Sequence, residues 1–318
     1  MTFYEDPEFP IKGNSKRPHD LVPFPKFFGL NFNTSRRDDW RTHFKRRTEI
    51  NGAHAGFFLV AVSSLTKDLI SFHKIVEEQS FDEHEYTGKF HFKFYDETRQ
   101  LKTIEIDDRL PIKPCGALQY AQNVGDVFWY PLMEKAYAKF CGSYEQIETG
   151  LLIKSMFHVT GRNPEWFDNG AESCLPFNAE GIYSNLRNLI EKKIILVCKL
   201  RNPEENNQAY GSGFTIIDVT EKRRISNDGI PELRKFVQLR HPSGKIPESM
   251  MADMGIYELT SLGEGLMDTE KFVNQMQCVY SVDMSMHQLR RSPGLDAISI
   301  PFIPEKENPY VNSHRAKH

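Results

Sequence analysis

The sequence lacks the features of a secreted or membrane-spanning protein. Its apolar runs, such as Gly56–Leu65, are far too short to cross a bilayer. The first ten residues carry Glu5, Asp6 and Glu8 where a secretory signal would have its apolar core. The five cysteines stand far apart and form no CxxC pair, which fits free thiols in a reducing compartment better than disulfides or a zinc site. We therefore expect a cytoplasmic protein with no membrane span.

The sequence also lacks an excess of charge of one sign. Its 40 lysines and arginines are opposed by 43 aspartates and glutamates, for a formal net charge of −3. This balance favours neither nucleic acid nor an anionic membrane as a partner. Apolar material is plentiful, since 39% of the residues are hydrophobic and 23 are phenylalanine. The 318 residues can therefore form two ordinary domains, or one domain made of two lobes.

A proline-rich leader occupies residues 1–46. Five prolines fall within its first 25 residues, a density that excludes long helices. Four phenylalanines predict that the leader packs on a folded core rather than trailing free. They are Phe24, Phe27, Phe28 and Phe32.

The rest of the chain divides into a helix-rich part and a strand-rich part. Apolar periodicity predicts helices at 51–66, 131–142 and 182–192. Alternation predicts a hairpin from the strands at 89–95 and 102–106. Further strand-like runs lie at 194–200, 214–219, 235–239 and 278–282.

Glycine and proline between residues 160 and 181 indicate a boundary between two lobes. We therefore predict an α+β fold with three parts beyond the leader. They are a helix-rich lobe at 47–176, an antiparallel β-rich lobe at 177–304 and a flexible tail at 305–318.

Several stretches, taken in order, resemble the calpains, the calcium-dependent cysteine proteases with a papain-like core. They are FYEDPEFP (3–10), KRP (16–18), IEIDDRLP (104–111), FWYPLMEKAYAKFCGSYE (128–145), VTGRNPEWF (159–167) and GLMDTEKF (265–272). The stretch at 128–145 is the most specific, because it resembles a long helix signature of the family. The resemblance implies a two-lobed, papain-like calpain protease core. Within that signature we interpret Glu134 and Lys135 as solvated or lobe-packing groups.

The resemblance also implies a catalytic cysteine at the start of a helix, but this chain has none there. A thiolate in that position is activated by the helix dipole and by a neighbouring imidazolium. Aligned from LVAVSSLT (59–66), the cysteine position falls on Gly56 and the oxyanion glutamine on Ile50. No cysteine lies between Met1 and Cys115, so shifting the alignment supplies no nucleophile.

The other two catalytic segments of the family have changed as well. GSGFTIIDVT (211–220) keeps Gly211 but has Ser212 at the histidine position, and RHPSG (240–244) has His241 at the asparagine position. Ser212 beside His241 could form a substitute nucleophile and base, although a serine also needs an oxyanion hole. We favour the simpler interpretation, in which Ser212 fills the space left by an imidazole.

Calcium sites and a peptide-binding cleft are further implications of the resemblance. We expect the first-lobe calcium site to be lost, since Arg47 stands at one acidic position and Asp126 is displaced from the other. In the second lobe Glu270 and Asp283 are weak candidate ligands. A cleft between the lobes can hold an extended peptide through backbone hydrogen bonds. Its candidate residues here are Thr149, Gly150 and Gly211.

These observations predict a calpain-like pseudoprotease that acts as a protein-binding or regulatory module. Its partner would be a protein or peptide in the cleft, and active calpains or cytoskeletal proteins are candidates. The alternative is a calcium-dependent cysteine-type endopeptidase with residual proteolysis through a relocated nucleophile, for which Cys115 and Cys141 are the thiols to test. A third possibility is that the chain is part of a longer product whose other domains carry the function.

Overall fold

The computed structural model describes most of the chain between residues 3 and 285. The described residues are 3–28, 56–82, 84, 86–148, 150–168, 178–201, 213–225, 229–242, 246, 248–257, 259 and 264–285. All the helices and strands described below lie in one compact unit, Met1–Met284. Within these residues no helix is long and apolar enough to cross a membrane.

Helices and small antiparallel strand pairs form the part of the fold before residue 161. In chain order they are β1 (Ser15–Lys16), α1 (Pro18–Leu21), α2 (Gly56–Leu65), α3 (Leu69–Ile75), β2 (Lys89–Tyr95), β3 (Leu101–Asp107), β4 (Leu110–Pro111), α4 (Trp129–Cys141), α5 (Tyr144–Glu148) and α6 (Leu152–Thr160). β2 pairs with β3, and β1 of the leader pairs with β4.

A seven-stranded antiparallel sheet dominates the part of the fold after residue 164. In chain order its elements and the flanking helices are β5 (Glu165–Asp168), α7 (Ala179–Glu191), β6 (Ile195–Leu200), β7 (Gly213–Ile225), β8 (Pro231–Arg240), α8 (Glu248–Met254), β9 (Ile256–Tyr257), β10 (Glu264–Asp268), α9 (Thr269–Gln275) and β11 (Met276–Val282). The strand order is β5-β11-β6-β7-β8-β10-β9.

Sequence periodicity explains the best-defined elements. In β2, KFHFKFY, the three phenylalanines are buried and the residues between them are at least partly exposed, as a half-buried strand requires. α4 ends where Gly142 adopts a φ of +108°, a conformation open to glycine. α6 ends at Gly161 with a φ of +67°, where a Cβ atom would lie 2.7 Å from the Tyr95 ring. Glycine is therefore required there by both backbone and packing.

The buried apolar side chains form two clusters that meet near α2. The first joins the leader, α2–α4, α6 and β2, and also takes in Ile195, Val197 and Val282 from the large sheet. The second lies on the other face of the sheet and is covered by α7 and α9. α2 packs against α6 and also against β6 and β7. It therefore connects the helical part of the fold to the sheet.

The fold class predicted from the sequence is confirmed, since helices and antiparallel sheets combine in an α+β calpain protease core. The prediction that four phenylalanines pack on the core is right for Phe27 and Phe28, which are buried. It is wrong for Phe24, which is 81% exposed, and Phe32 lies outside the described residues. The predicted boundary region contains β5, which pairs with β11 of the sheet. The lobe limits themselves remain predictions.

Candidate functional site

The first candidate position is the start of α2, where Gly56 is the first helical residue and is buried. Eight of the next nine residues of α2 are buried as well, because the sequence FFLVAVSSL is apolar or small on every side. A glycine supplies no side chain that could become a nucleophile or receive a proton. Ile50, the predicted oxyanion-equivalent position, lies outside the described residues.

The face of the sheet toward α2 carries a row of cross-strand neighbours. Val197 of β6 pairs with Thr215 of β7, Thr215 with Arg240 of β8, and Arg240 with Glu264 of β10. Directly paired residues of antiparallel strands share a face. Because Val197 belongs to the first apolar cluster, the row faces the side of the sheet on which α2 lies.

A buried ion pair stands at one end of this row. The Arg240 guanidinium donates from Nη2 and Nε to Glu264 Oε1, at 2.5 and 3.0 Å. Gln238 Nε2 donates to the other carboxylate oxygen, Oε2, at 2.7 Å. Both oxygens of Glu264 therefore have donors, as a buried carboxylate requires. This pair was missed in the sequence, because its members are separated by 24 residues.

His241 follows this ion pair at the end of β8. Its side chain is buried, and its ring lies edge-on to Phe214 with the centroids 5.5 Å apart. The side chain of His241 therefore belongs to the interior of the protein and does not lie on its surface. Ser212 and Gly211 lie outside the described residues, so the alternative in which Ser212 and His241 act as nucleophile and base stays a hypothesis, as does the favoured interpretation of Ser212 as a space-filling residue.

The candidate cleft residues are only partly described. Gly150 lies between α5 and α6, and a Cβ atom there would be 3.3 Å from the Ile147 carbonyl oxygen. A side chain at this position would thus require a small shift of the chain. Thr149 and Gly211 lie outside the described residues, so their part in a cleft remains a prediction.

The three candidate calcium ligands lie in different surroundings. Asp126 is held by Lys26, whose Nζ donates to Oδ2 at 2.6 Å and whose backbone N–H donates to the Asp126 carbonyl at 2.7 Å. Glu270 is exposed in the first turn of α9, and Asp283 is half-buried just after β11. Among the described residues, no three His, Cys, Asp or Glu side chains gather in a group that could hold a metal ion.

Comparison with known proteins identifies the family. A profile of calpain family cysteine proteases matches residues 4–248. The chain belongs to the calpain family. Among curated calpains, calpain-A of Drosophila melanogaster is 27% identical over 335 aligned residues, which cover 91% of this chain and 37% of that protein. Calpain-8 of Rattus norvegicus is 28% identical over 272 residues, covering 76% of this chain and 35% of that protein.

The calpain match covers only part of these relatives. This chain spans roughly a third of the length of calpain-A and calpain-8. Calpain-B of Drosophila melanogaster reaches 31% identity over a shorter stretch, 183 residues, which cover 52% of this chain and 18% of that protein. The family is thereby established, together with its protease-type fold.

A calpain-family protease needs a reactive thiolate, and three of the four described cysteines are poorly suited to supply one. Burial raises the pKa of Cys141 to about 11. Burial also raises the pKa of Cys198 and of Cys278, two thiols enclosed in the large sheet. A raised pKa keeps a thiol protonated at neutral pH and hence weakly nucleophilic. Cys115 is exposed in the turn after β4.

Proposed function

We propose that this member of the calpain family is a cytoplasmic pseudoprotease that binds proteins or peptides instead of cleaving them. The observation that carries the proposal is Gly56 at the buried start of α2, the position at which the family resemblance expects the catalytic cysteine. Cysteine protease chemistry requires a sulfur that attacks the scissile carbonyl and forms an acyl intermediate. With a hydrogen atom in place of the thiol side chain, this position cannot form that bond.

The other catalytic positions of the family and the buried cysteines of this chain also support the proposal. Removing one member of a catalytic group already lowers the rate by orders of magnitude, and the members act as a unit. Here the histidine and asparagine positions of the family correspond to Ser212 and His241, so all three members have changed. The buried thiols of Cys141, Cys198 and Cys278 have raised pKa values, which argues against a relocated thiolate among them.

The binding part of the proposal rests on the retained fold. α2 packs against α6, β6 and β7, and its retention keeps the helical part of the core and the sheet together without catalysis. A groove between two such parts can hold an extended peptide through backbone hydrogen bonds alone. Such a module would compete with active calpains for substrates, or bind active calpains or cytoskeletal proteins directly.

A competition assay tests this function. An active calpain protease core digests casein in the presence of increasing amounts of the purified chain, and we expect the initial rate to fall as the chain sequesters casein or the protease. Gly150→Arg, which places a long side chain in the proposed cleft, should abolish the effect. Ile70→Arg is the matched control, because Ile70 on α3 is 76% exposed and its replacement adds the same charge on an exposed helix surface.

Circular dichroism and the melting temperature verify that both variants fold. An unchanged digestion rate at every concentration, together with no binding of casein or of the active protease in a pull-down, would reject the binding function. Equal inhibition by the wild type and by Gly150→Arg would instead place the binding surface outside the proposed cleft.

A further inference from the structure

A lysine just after α2 connects that helix to the large sheet. The Lys67 Nζ donates to the carbonyl oxygens of Ile216 and Ile217 in β7, at 3.1 and 3.2 Å. Lys67 and Ile216 are 149 residues apart in the sequence, so the contact joins the helical part of the fold to the sheet. It adds to the apolar packing of α2 against β6 and β7. We call Lys67 and its two carbonyl acceptors the latch.

An irregularity in β7 creates the pair of acceptors. Ile216 pairs with Leu239 of β8 and Asp218 pairs with Gln238, so Ile217 is an extra residue that forms a β-bulge. In a regular strand successive carbonyl groups point in opposite directions, and one ammonium group could not reach two of them. The bulge interrupts this alternation, and both carbonyl groups are thereby available to a single lysine.

The other end of the latch is held in a tight turn between α2 and α3. The Lys67 N–H donates to the Ser64 carbonyl at 3.1 Å, and the Asp68 N–H donates to the Leu65 carbonyl at 2.8 Å. The Asp68 carboxylate caps α3, because it accepts from the Ser71 N–H at 3.3 Å and from the Ser71 hydroxyl at 2.6 Å. Both helices therefore fix the backbone from which the lysine reaches β7.

The contact between the sheet and α2 also buries polar groups at a cost in free energy. Thr215 is fully buried on the face of the sheet toward α2, and its hydroxyl oxygen has no hydrogen-bond partner among the described residues. Water would satisfy this oxygen if the sheet moved away from α2. The neighbouring Arg240–Glu264 pair is buried as well, which desolvates two charges. Separating the sheet from α2 is therefore less costly than separating a purely apolar contact.

From these contacts we infer that the latch controls a local opening between the large sheet and α2. With the latch formed, the sheet stays packed on the helix. When it is released, the sheet parts locally from α2 and water reaches Thr215, while both elements keep their own backbone hydrogen bonds. Because Lys67 is exposed, loss of its charge can release the latch without unfolding the chain. The inference goes beyond the proposed binding function and does not depend on it.

Two buried cysteines on opposite faces of the sheet can report the opening. Cys198 belongs to the second apolar cluster. Cys278 lies on the other face, because Tyr280 and Val282, on the same side of β11, pack with the first cluster. Release of the latch should admit a thiol reagent to Cys278 and leave Cys198 protected. Labelling with iodoacetamide and peptide mapping by mass spectrometry measure the two rates separately.

The wild-type chain gives a test without any substitution. In low concentrations of urea, the labelling rate of Cys278 should depend weakly on urea, because a local opening exposes little surface. The rate for Cys198 should show the steep dependence of global unfolding. Equal urea dependence for the two cysteines would overturn the inference, since Cys278 would then be reached only through global unfolding.

Substitutions at both ends of the contact test the latch directly. Lys67→Met should accelerate labelling of Cys278 at least about tenfold, because hydrogen bonds from a charged donor are lost. Lys67→Arg keeps the charge and the N–H donors and should stay within about threefold of the wild type. Thr215→Val removes the unpartnered oxygen from a side chain of similar shape and should slow labelling of Cys278 about threefold.

Lys74→Met is the matched control, because Lys74 is an exposed lysine on the neighbouring helix α3. Its labelling rates should equal those of the wild type. An unchanged rate for Cys278 in Lys67→Met would overturn the inference. Equal acceleration of Cys198 and Cys278 would overturn it as well, because Lys67 would then contribute only to global stability.

Discussion

At the scale of single residues, a buried ionic network ties the leader to the core. Lys135 is fully buried, and its Nζ donates to Asp107 Oδ1 at 2.7 Å and to the carbonyls of Asp107 and Arg109 at 2.9 and 2.7 Å. The Asp6 backbone N–H donates to Asp107 Oδ2 at 2.8 Å. Glu134 and Lys135 are both buried. The interpretation of these two residues as solvated groups is therefore wrong, and their interpretation as packing groups is right. The sequence shows charges in helical spacing but not the partners that bury them.

The carboxyl group of Asp107 should make the stability of the folded protein depend on pH. Burial by itself would raise the pKa of this carboxyl, but hydrogen bonds from Arg109 and Lys135 and the charge of Lys135 outweigh it and lower the pKa to about 2. The unfolded chain has a value of about 4. The carboxylate therefore stabilises the folded state above pH 4, by about 2 kcal/mol, and this contribution is lost as the pH falls from about 4 to 2.

Urea unfolding at a series of pH values measures this contribution. Asp107→Asn should be less stable than the wild type at pH 7 by about 3–5 kcal/mol, because Lys135 is left buried without its counterion. The difference between the two proteins should shrink between about pH 4 and pH 2. A difference that stays constant over this range would show that ionisation of Asp107 does not stabilise the folded protein in this way.

Calcium should leave the melting temperature of this chain unchanged. A calcium ion in a protein takes about six to eight oxygen ligands, whereas the Asp126 carboxylate is already engaged by Lys26 at 2.6 Å. Differential scanning calorimetry with and without millimolar calcium measures the effect. Asp126→Asn serves as control and should respond in the same way as the wild type. A calcium-dependent rise of about 3 °C or more, abolished by Glu270→Gln or Asp283→Asn, would show that these candidates bind calcium.

At the scale of elements, α2 is retained as a packing element. Phe58 is buried and stacks on Tyr137 of α4, with the ring centroids 3.8 Å apart. Its neighbour Phe57 is only partly buried. The helix that would present a nucleophile in an active relative therefore has a structural role in this chain.

Two alanine substitutions measure that role. Phe58→Ala should lower the free energy of unfolding by about 3–5 kcal/mol, because it removes a stacked core ring and leaves a cavity. Phe57→Ala on the same helix is the matched control and should cost about 1–2 kcal/mol. Chemical denaturation of both variants gives the comparison. If the two variants lose similar amounts of unfolding free energy, the packing of α2 does not depend on the burial of Phe58.

Sequence periodicity matches the observed burial in β2 and α7, where one side of each element is buried. It does not match in β3, where only the last two residues are buried, or in α4, whose residues 129–138 are all buried. β5 was missed because Glu165–Asp168 is short and Trp166 is exposed, so its strand conformation depends on pairing with β11. β10 was missed because it is buried on both faces and contains Gly265. A Cβ atom at Gly265 would lie 2.3 Å from Ile256 Cγ2, a requirement that only the folded structure reveals.

The candidate site was predicted less completely than the fold. The absence of a catalytic cysteine at position 56 follows from the sequence alone, because the first hundred residues contain no cysteine. The Arg240–Glu264 pair and the burial of His241 depend on strand register between distant segments.

At the scale of the whole molecule, the two apolar clusters should unfold together. The first cluster includes Ile195, Val197 and Val282 from the same sheet that carries the second cluster on its other face. Calorimetry should therefore show one cooperative transition, with the same midpoint by near- and far-ultraviolet circular dichroism. Two resolved transitions would indicate that the predicted lobes, 47–176 and 177–304, are independent folding units.

We propose that this calpain-family chain does not cleave peptides. Turnover of a fluorogenic calpain peptide and of casein by the purified chain, with and without millimolar calcium and beside an active calpain core, is the decisive measurement. We expect no turnover by the wild type, by Cys115→Ala or by Cys141→Ala. A variant that combines Ile50→Gln, Gly56→Cys, Ser212→His and His241→Asn shows whether the retained fold can still support the chemistry. Turnover by the wild type that survives repurification and is blocked by a thiol- or serine-directed reagent would show instead that the chain is an active protease.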